Sequence, residues 1–160
     1  MPVAVMDETE RQASIEGLIR ILDDPRASAE AQMAAQERLD FFAREITEWF
    51  RPAGYRLLLY IPYLQAKLEG AALVMPDDAR SLYQMASIQG IVVAAGQEAY
   101  TDQTRFPHGP WCRVGDRVMI RAYSGTRFTR AGYPFVYALI NDDTVEAVMR
   151  DGLRVERVGR

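Results

Sequence analysis

Arg56-Leu57-Leu58-Leu59-Tyr60-Ile61-Pro62 decides the fold of the larger part of the chain. A short run of aliphatic and aromatic residues that ends at a proline is typical of a β-strand. Other short apolar runs predict further strands, at residues 88–95, 118–123, 135–140 and 145–149. Ser124-Gly125-Thr126, followed by Phe128, predicts a hairpin turn after the run 118–123. Short strands separated by turn signals favour a small β-barrel over an α/β sheet.

The residues before this region have a helical period instead. Apolar side chains in residues 8–22 recur at intervals of three and four, and Asp23-Asp24-Pro25 ends that pattern. Ser28 is a suitable N-cap for a second helix. The apolar stripe of that helix consists of Ala35, Leu39, Phe42, Ile46 and Trp49. The fold is therefore predicted to be mainly β, a barrel over residues 53–151 with a helical extension over 1–52 and a tail over 152–160.

Composition excludes several classes of protein. The 160 residues carry a net charge of −3 and have a pI of about 5.3, so no nucleic-acid partner is expected. No run of apolar residues is long enough to span a membrane, and the first residues lack the pattern of a secretory signal. The single cysteine, Cys112, cannot form an internal disulfide, which fits a reducing cytoplasm.

Two long connections separate the predicted strands, at residues 63–87 and 97–115. Connections of this length in a compact domain are usually functional or disordered. The first contains the apolar triplet Leu73-Val74-Met75 in a setting of small and polar residues. Exposing such a triplet costs roughly 25 cal/mol per Å² of apolar surface, so we expect it to be buried against the chain's own core or against a partner.

Several short motifs follow one another along the predicted barrel. They are the strand 55–60, Gly70-Ala71-Ala72-Leu73-Val74-Met75-Pro76-Asp77, the strand 90–96 with its final glycine, Val114-Gly115-Asp116, Tyr123-Ser124-Gly125-Thr126, and the closing segment 140–148. In this order, the motifs resemble those of the ten-kilodalton co-chaperonin (GroES-like) family, and the resemblance extends from residue 53 to residue 151. Gly109-Pro110-Trp111-Cys112 and Ile140-Asn141-Asp142-Asp143 are most similar to the co-chaperonin-like proteins of tailed bacteriophages.

The resemblance implies a mode of assembly and a docking site. Members form seven-fold rings in which the first strand of one barrel pairs with the last strand of its neighbour. Leu57 and Leu59 would then lie opposite Val145 and Val148 at a subunit interface. Leu73, Val74 and Met75 would occupy the mobile loop and bind an apolar groove on a chaperonin ring. Alanines at 71 and 72, where the family has glycines, restrict that loop.

No constellation of catalytic or metal-ligating residues stands out. His108 lies between two prolines and Cys112 is the only other candidate ligand, so neither a metal site nor a nucleophile is expected. Asx turns account for Asp77-Asp78 and Asp142-Asp143, and Trp111 is expected in the barrel core.

Two functions fit these observations. The first is a phage co-chaperonin, acting in the host cytoplasm without enzymatic activity or cofactor, that binds a host chaperonin to assist folding of viral capsid proteins. The alternative is a structural protein of the virion, a decoration or cement subunit that binds the capsid protein. The chain is expected to form a homo-oligomer. Seven copies would favour the co-chaperonin, and a monomer or a trimer would favour the virion protein.

Overall fold

The structure, a computed structural model, describes residues 6–62 and 87–150 together with residues 153, 155 and 158. The chain divides into two compact units, Met1–Ile46 and Thr47–Arg160. We call them the helical unit and the sheet unit. The division falls earlier than residue 52, where the sequence pattern predicts the end of the helical extension.

The helical unit contains two helices whose ends are fixed by their caps. Helix α1 spans Glu8–Asp23 and helix α2 spans Ala29–Arg44. Asp7 and Glu10 form a reciprocal capping box at the start of α1, with N···O distances of 2.8 and 3.2 Å. Ser28 accepts the backbone N–H of Ala31 at 3.1 Å, which confirms the predicted cap of α2.

The apolar stripe of α2 is confirmed over most of its length. Ala35, Leu39 and Phe42 are buried, as is Ile46 in the 3₁₀ turn Glu45–Glu48 that follows the helix. The prediction for Trp49 is wrong, because this side chain is 62% exposed and belongs to the sheet unit. A 3₁₀ turn advances by three residues per turn rather than 3.6, so the stripe loses its phase after Arg44.

The sheet unit contains six antiparallel strands in the order β4-β5-β1-β2-β3-β6. Their bounds are β1 Arg56–Ile61, β2 Gln89–Ala95, β3 Arg117–Ile120, β4 Thr126–Thr129, β5 Val136–Asn141 and β6 Val145–Met149. The predicted strands are thus present, but the predicted hairpin is wrong. Strand β3 pairs with β2 and β6, whereas β4 pairs with β5. Pairing between strands depends on distant parts of the chain, which a local turn signal does not report.

The predicted closed barrel also needs correction, since no described pairing joins β4 to β6. The sheet is nevertheless strongly curled. In a flat sheet, β5 and β6 would lie about 19 Å apart, because four strand spacings separate them. Only residues 142–144 connect these strands, and the chain from Asn141 to Val145 reaches at most about 14 Å. The fold is therefore a curled antiparallel sheet accompanied by two helices.

The inner face of the curled sheet holds a continuous core. It is built from β1, β2, β3, β5, β6 and the connection after β2, through Leu57, Leu59, Ile61, Val92, Val118, Ile120, Val136, Ala138, Ile140, Val145, Tyr100, Phe106 and Cys112. Every second residue of β1 belongs to this set. Register agrees, because Leu57 lies opposite Ile140 and Leu59 opposite Ala138.

Aromatic rings lie on the other face of the sheet at β1, β5 and β4. Tyr60 of β1 lies opposite Tyr137 of β5, which lies opposite Phe128 of β4. Their ring centroids are 6.0 and 5.5 Å apart, and Phe50 stacks on Phe128 at 5.1 Å. We call Phe50, Tyr60, Phe128 and Tyr137 the aromatic ladder. Because this ladder covers the second face, β1 is buried on both sides.

Candidate functional site

The predicted docking triplet lies between β1 and β2. Leu73, Val74 and Met75 lie outside the described residues. The described residues show where the connection that carries this triplet leaves the sheet, after β1, and where it returns, before β2. Tyr60 lies opposite Ile91, so β1 and β2 are antiparallel neighbours at this point. Two residues can join such neighbours, whereas this chain uses residues 62–88.

The end at which this connection rejoins the sheet is held by polar contacts. Ser87 is buried, and its carbonyl accepts a guanidinium N–H of Arg127 at 3.1 Å. The Gln89 amide donates to the Val155 carbonyl at 2.8 Å, and its oxygen accepts from Arg117 at 3.2 Å. These contacts link the first residues of β2 to β3, β4 and the C-terminal residues. The connection therefore begins at a strand that is paired on both edges and ends at residues that are held by hydrogen bonds.

The residues predicted to form a subunit interface lie in two places, the core and the outer strand β6. Leu57 and Leu59 are 1% and 0% exposed, and both edges of β1 are paired within the chain. This arrangement gives no support to pairing of β1 with a neighbouring subunit. Val145 is buried in β6, while Val148 of the same strand is 48% exposed. Among the described strands, β4 and β6 are the outermost. The interface at Val145 and Val148 stays a prediction.

The main cluster of ionisable side chains lies around the second long connection. The Tyr100 hydroxyl donates to the carbonyl of Asp142 at 2.8 Å and lies 3.3 Å from the Cys112 sulfur. The Asp142 carboxylate accepts the backbone N–H of Tyr100 at 3.0 Å through Oδ2. All three residues are buried. We call Tyr100, Cys112 and Asp142 the buried polar triad.

Burial favours the neutral forms of the Cys112 thiol and the Tyr100 phenol. Burial raises the pKa of the Cys112 thiol. The charge of Asp116 adds to the increase, while the hydrogen bond between Cys112 and Tyr100 opposes it. Burial also raises the pKa of Tyr100, with a further contribution from its contact with Cys112. A thiol that stays protonated is a poor nucleophile. The triad is thus suited to holding the connection in place rather than to covalent chemistry.

The prediction of an Asx turn at Asp142-Asp143 is wrong for Asp142. Its side chain is 1% exposed and bonds to Tyr100 rather than to a neighbour in sequence. Its second oxygen, Oδ1, is also buried, and none of the described residues donates to it. Asp143 points to the surface instead and forms an ion pair with Arg105. The available signal was an acidic pair directly after a buried strand, where one member must face inward.

Three aromatic rings complete the attachment of the connection after β2. Phe106 packs edge-to-face on Tyr100 and on Trp111, with centroid distances of 4.9 and 5.0 Å. Trp111 is 47% exposed, so its predicted place in the core is wrong. Arg105 lies over the Phe106 ring at 5.3 Å while it pairs with Asp143. The connection is therefore a folded part of the sheet unit, tied to the turn between β5 and β6.

Comparison with known proteins adds no relative. No family model matches the sequence, and no curated protein matches it. Across residues 6–62 and 87–150, no three His, Cys, Asp or Glu side chains are grouped so as to hold a metal ion. No helix in the described part of the chain is long and apolar enough to cross a membrane.

Proposed function

We propose that the chain is a GroES-like co-chaperonin of the bacteriophage type, which acts by binding a protein partner and not by catalysis. The observation that carries this proposal is the connection between β1 and β2. Antiparallel neighbours that two residues could join are separated by residues 62–88, and this insertion contains the Leu73-Val74-Met75 triplet. A connection of that length in a compact domain is usually functional or disordered, and the apolar triplet favours a functional one.

The polar contacts at the start of β2, where the insertion rejoins the sheet, support a docking role. Ser87 bonds to Arg127 of β4 and Gln89 bonds to Val155, so the start of β2 is held in place. A partner that binds the preceding connection would therefore be attached to an ordered part of the sheet. The connection after β2 differs, because its aromatic and polar side chains already contact one another and the turn between β5 and β6. The first connection is therefore the better candidate for partner binding.

The chemistry of the buried polar triad supports a function without catalysis. Its thiol and phenol both have raised pKa values, and both lie in the core. A binding protein needs no activated nucleophile, and the nucleotide chemistry of a chaperonin cycle belongs to the chaperonin. Several copies in a ring would supply avidity, because each tethered loop binds weakly alone.

Retention on a bacterial chaperonin tests the proposal. The native chain and a Val74→Asp variant are passed over immobilised chaperonin in the presence of ATP. We expect Val74→Asp to lower retention about tenfold or more. Every copy in the ring would have to bury a charge in an apolar groove, so each copy would lose its contact with the chaperonin. Val114→Asp is the matched control, since Val114 is 62% exposed in the other connection and should be retained like the native chain. Equal retention of Val74→Asp, or no retention of the native chain, contradicts the proposal.

A structural protein of the virion is the second candidate, and the separate helical unit favours it. Residues 1–52 lie outside the resemblance to co-chaperonins, yet Met1–Ile46 forms a compact unit of its own. An additional unit of this kind can fasten a subunit to a lattice. Mass spectrometry of purified virions separates the candidates. A stoichiometric copy number indicates a virion component, and absence from the particle indicates an assembly factor.

A further inference from the structure

The outward face of helix α2 combines exposed apolar and exposed charged side chains. Met33 is 69% exposed and Phe41 is 52% exposed, although both are large apolar residues. Glu30, Glu37 and Arg44 are exposed on the same helix. At 100° per residue, Met33 and Phe41 lie about 40° to either side of Glu37, and Glu30 and Arg44 about 20°. These five residues, which we call the α2 outer face, point away from the buried stripe.

The spacing of these residues is symmetric about Glu37. Met33 and Phe41 are each four residues from Glu37, and Glu30 and Arg44 are each seven residues from it. In an antiparallel pair of identical helices related by a two-fold axis at Glu37, Met33 of one copy lies level with Phe41 of the other. Glu30 of one copy lies level with Arg44 of the other. Each apolar residue thus meets an apolar residue, and each end charge meets its opposite.

We propose that the chain self-associates through the α2 outer face, in an antiparallel two-fold helix pair centred on Glu37. The second copy is the occupant favoured here because the face is complementary to itself. A partner of different sequence would need no such symmetry. This pairing is independent of docking through Leu73, Val74 and Met75, because it uses the helical unit alone.

One feature of the face opposes the pairing and gives it a distinctive signature. The two Glu37 side chains meet at the axis and repel each other. Removing the acid at the axis should therefore strengthen the pair, whereas removing an acid from an ordinary solvated surface changes little.

Cysteine cross-linking of the full chain tests the register. Two copies of a Glu37→Cys variant would meet at the axis and form a disulfide under mild oxidation with copper phenanthroline. The control is Ala31→Cys, also exposed on α2. In the proposed pair, its two sulfurs would be separated by about 18 Å along the axis, which no disulfide spans. The native Cys112 is buried and serves as the background in every variant.

A mixing experiment decides between antiparallel and parallel pairing. Chains with Glu30→Cys and chains with Arg44→Cys should cross-link to each other when mixed and remain mostly uncross-linked when separate. Parallel pairing would give the reverse. Cross-linking of Glu37→Cys no greater than that of Ala31→Cys overturns the proposal.

Sedimentation of uncross-linked chains provides an independent measurement. We expect Phe41→Ser to raise the dissociation constant of the pair about tenfold or more, because each dimer loses two central apolar contacts. Glu37→Gln should lower it several-fold by removing the repulsion at the axis. Circular dichroism of both variants checks that α1 and α2 remain folded. Equal dissociation constants for the native chain and Phe41→Ser contradict the pairing, whatever the chaperonin experiment shows.

Discussion

In the sheet unit, strand β1 is buried on both faces, by the core on one side and by the aromatic ladder on the other. In the helical unit, helix α2 is buried along one stripe and leaves Met33 and Phe41 exposed. A strand between two apolar layers loses contacts on whichever face is altered. A helix with one buried stripe tolerates change on its other face. The two units should therefore respond differently to the same kind of substitution.

The largest effect is expected in the aromatic ladder. Tyr137 is 0% exposed and packs against Tyr60 and Phe128. Tyr137→Ala removes the middle ring and leaves a cavity, which typically costs about 3–5 kcal/mol for a large buried aromatic residue. Urea unfolding followed by tryptophan fluorescence measures the loss. Both tryptophans, Trp49 and Trp111, belong to the sheet unit, so this signal reports on that unit alone.

Tyr55→Ala is the matched control for this prediction. Tyr55 precedes β1 and is 44% exposed, and the contact it makes with Asp142 runs through its backbone carbonyl. Its replacement should cost about 1 kcal/mol or less, as for most surface substitutions. Similar losses for Tyr137→Ala and Tyr55→Ala would show that the ladder contributes little to the stability of the sheet unit.

A glycine-to-alanine substitution should lower the free energy of unfolding of the sheet unit at Gly96 and raise that of the helical unit at Gly17. A Cβ at Gly96 would lie 2.1 Å from the backbone oxygen of Gly54, so the two turns must separate. Overpacking of this kind costs about 1–3 kcal/mol. A Cβ at Gly17 in α1 meets nothing within 4 Å, and alanine should stabilise the helix by about 0.5–1 kcal/mol. Fluorescence measures the first change, and circular dichroism at 222 nm the second. Changes of the same sign would contradict this difference.

The sequence predicts the elements of both units better than their arrangement. Asp23-Asp24-Pro25 and Ser28 mark helix ends through contacts within a few residues, and these signals are local. The neighbours of β3 and β4 depend on how the whole sheet curls, which a turn at Ser124-Gly125-Thr126 does not encode. The aromatic ladder is hidden for the same reason, since Phe50, Tyr60, Phe128 and Tyr137 are dispersed along the sequence.

The candidate site divides in the same way. The Leu73-Val74-Met75 triplet stands out because three apolar residues in a polar setting form a local pattern, and its docking role stays a prediction. The buried polar triad was missed, because Tyr100 and Asp142 are 42 residues apart in sequence. Nothing near Tyr100 indicates that its hydroxyl reaches the turn after β5. Only the curl of the sheet brings the two residues together.

The buried polar triad gives the smallest effect and a dependence on pH. Tyr100→Phe removes the hydrogen bond to the Asp142 carbonyl, at a cost of about 0.5–1.5 kcal/mol at pH 7. The raised pKa values of Tyr100 and Cys112 mean that the folded state holds their protons more tightly than the unfolded chain. The resulting stabilisation is complete at neutral pH. It decreases as pH rises past the usual values of about 8.5 for a thiol and about 10 for a phenol.

Urea titrations from pH 7 to pH 11 separate the two contributions. The free energy of unfolding of the native chain should fall steadily above about pH 8.5, because the unfolded state loses protons that the folded state retains. Cys112→Ala should reduce the fall between about pH 8.5 and about pH 10, and Tyr100→Phe should reduce the fall above about pH 10. Tyr55→Phe, at an exposed tyrosine, is the matched control. If all four curves have the same slope above pH 8.5, the thiol and the phenol are not desolvated in the folded sheet unit, and the triad does not hold the connection as its geometry indicates.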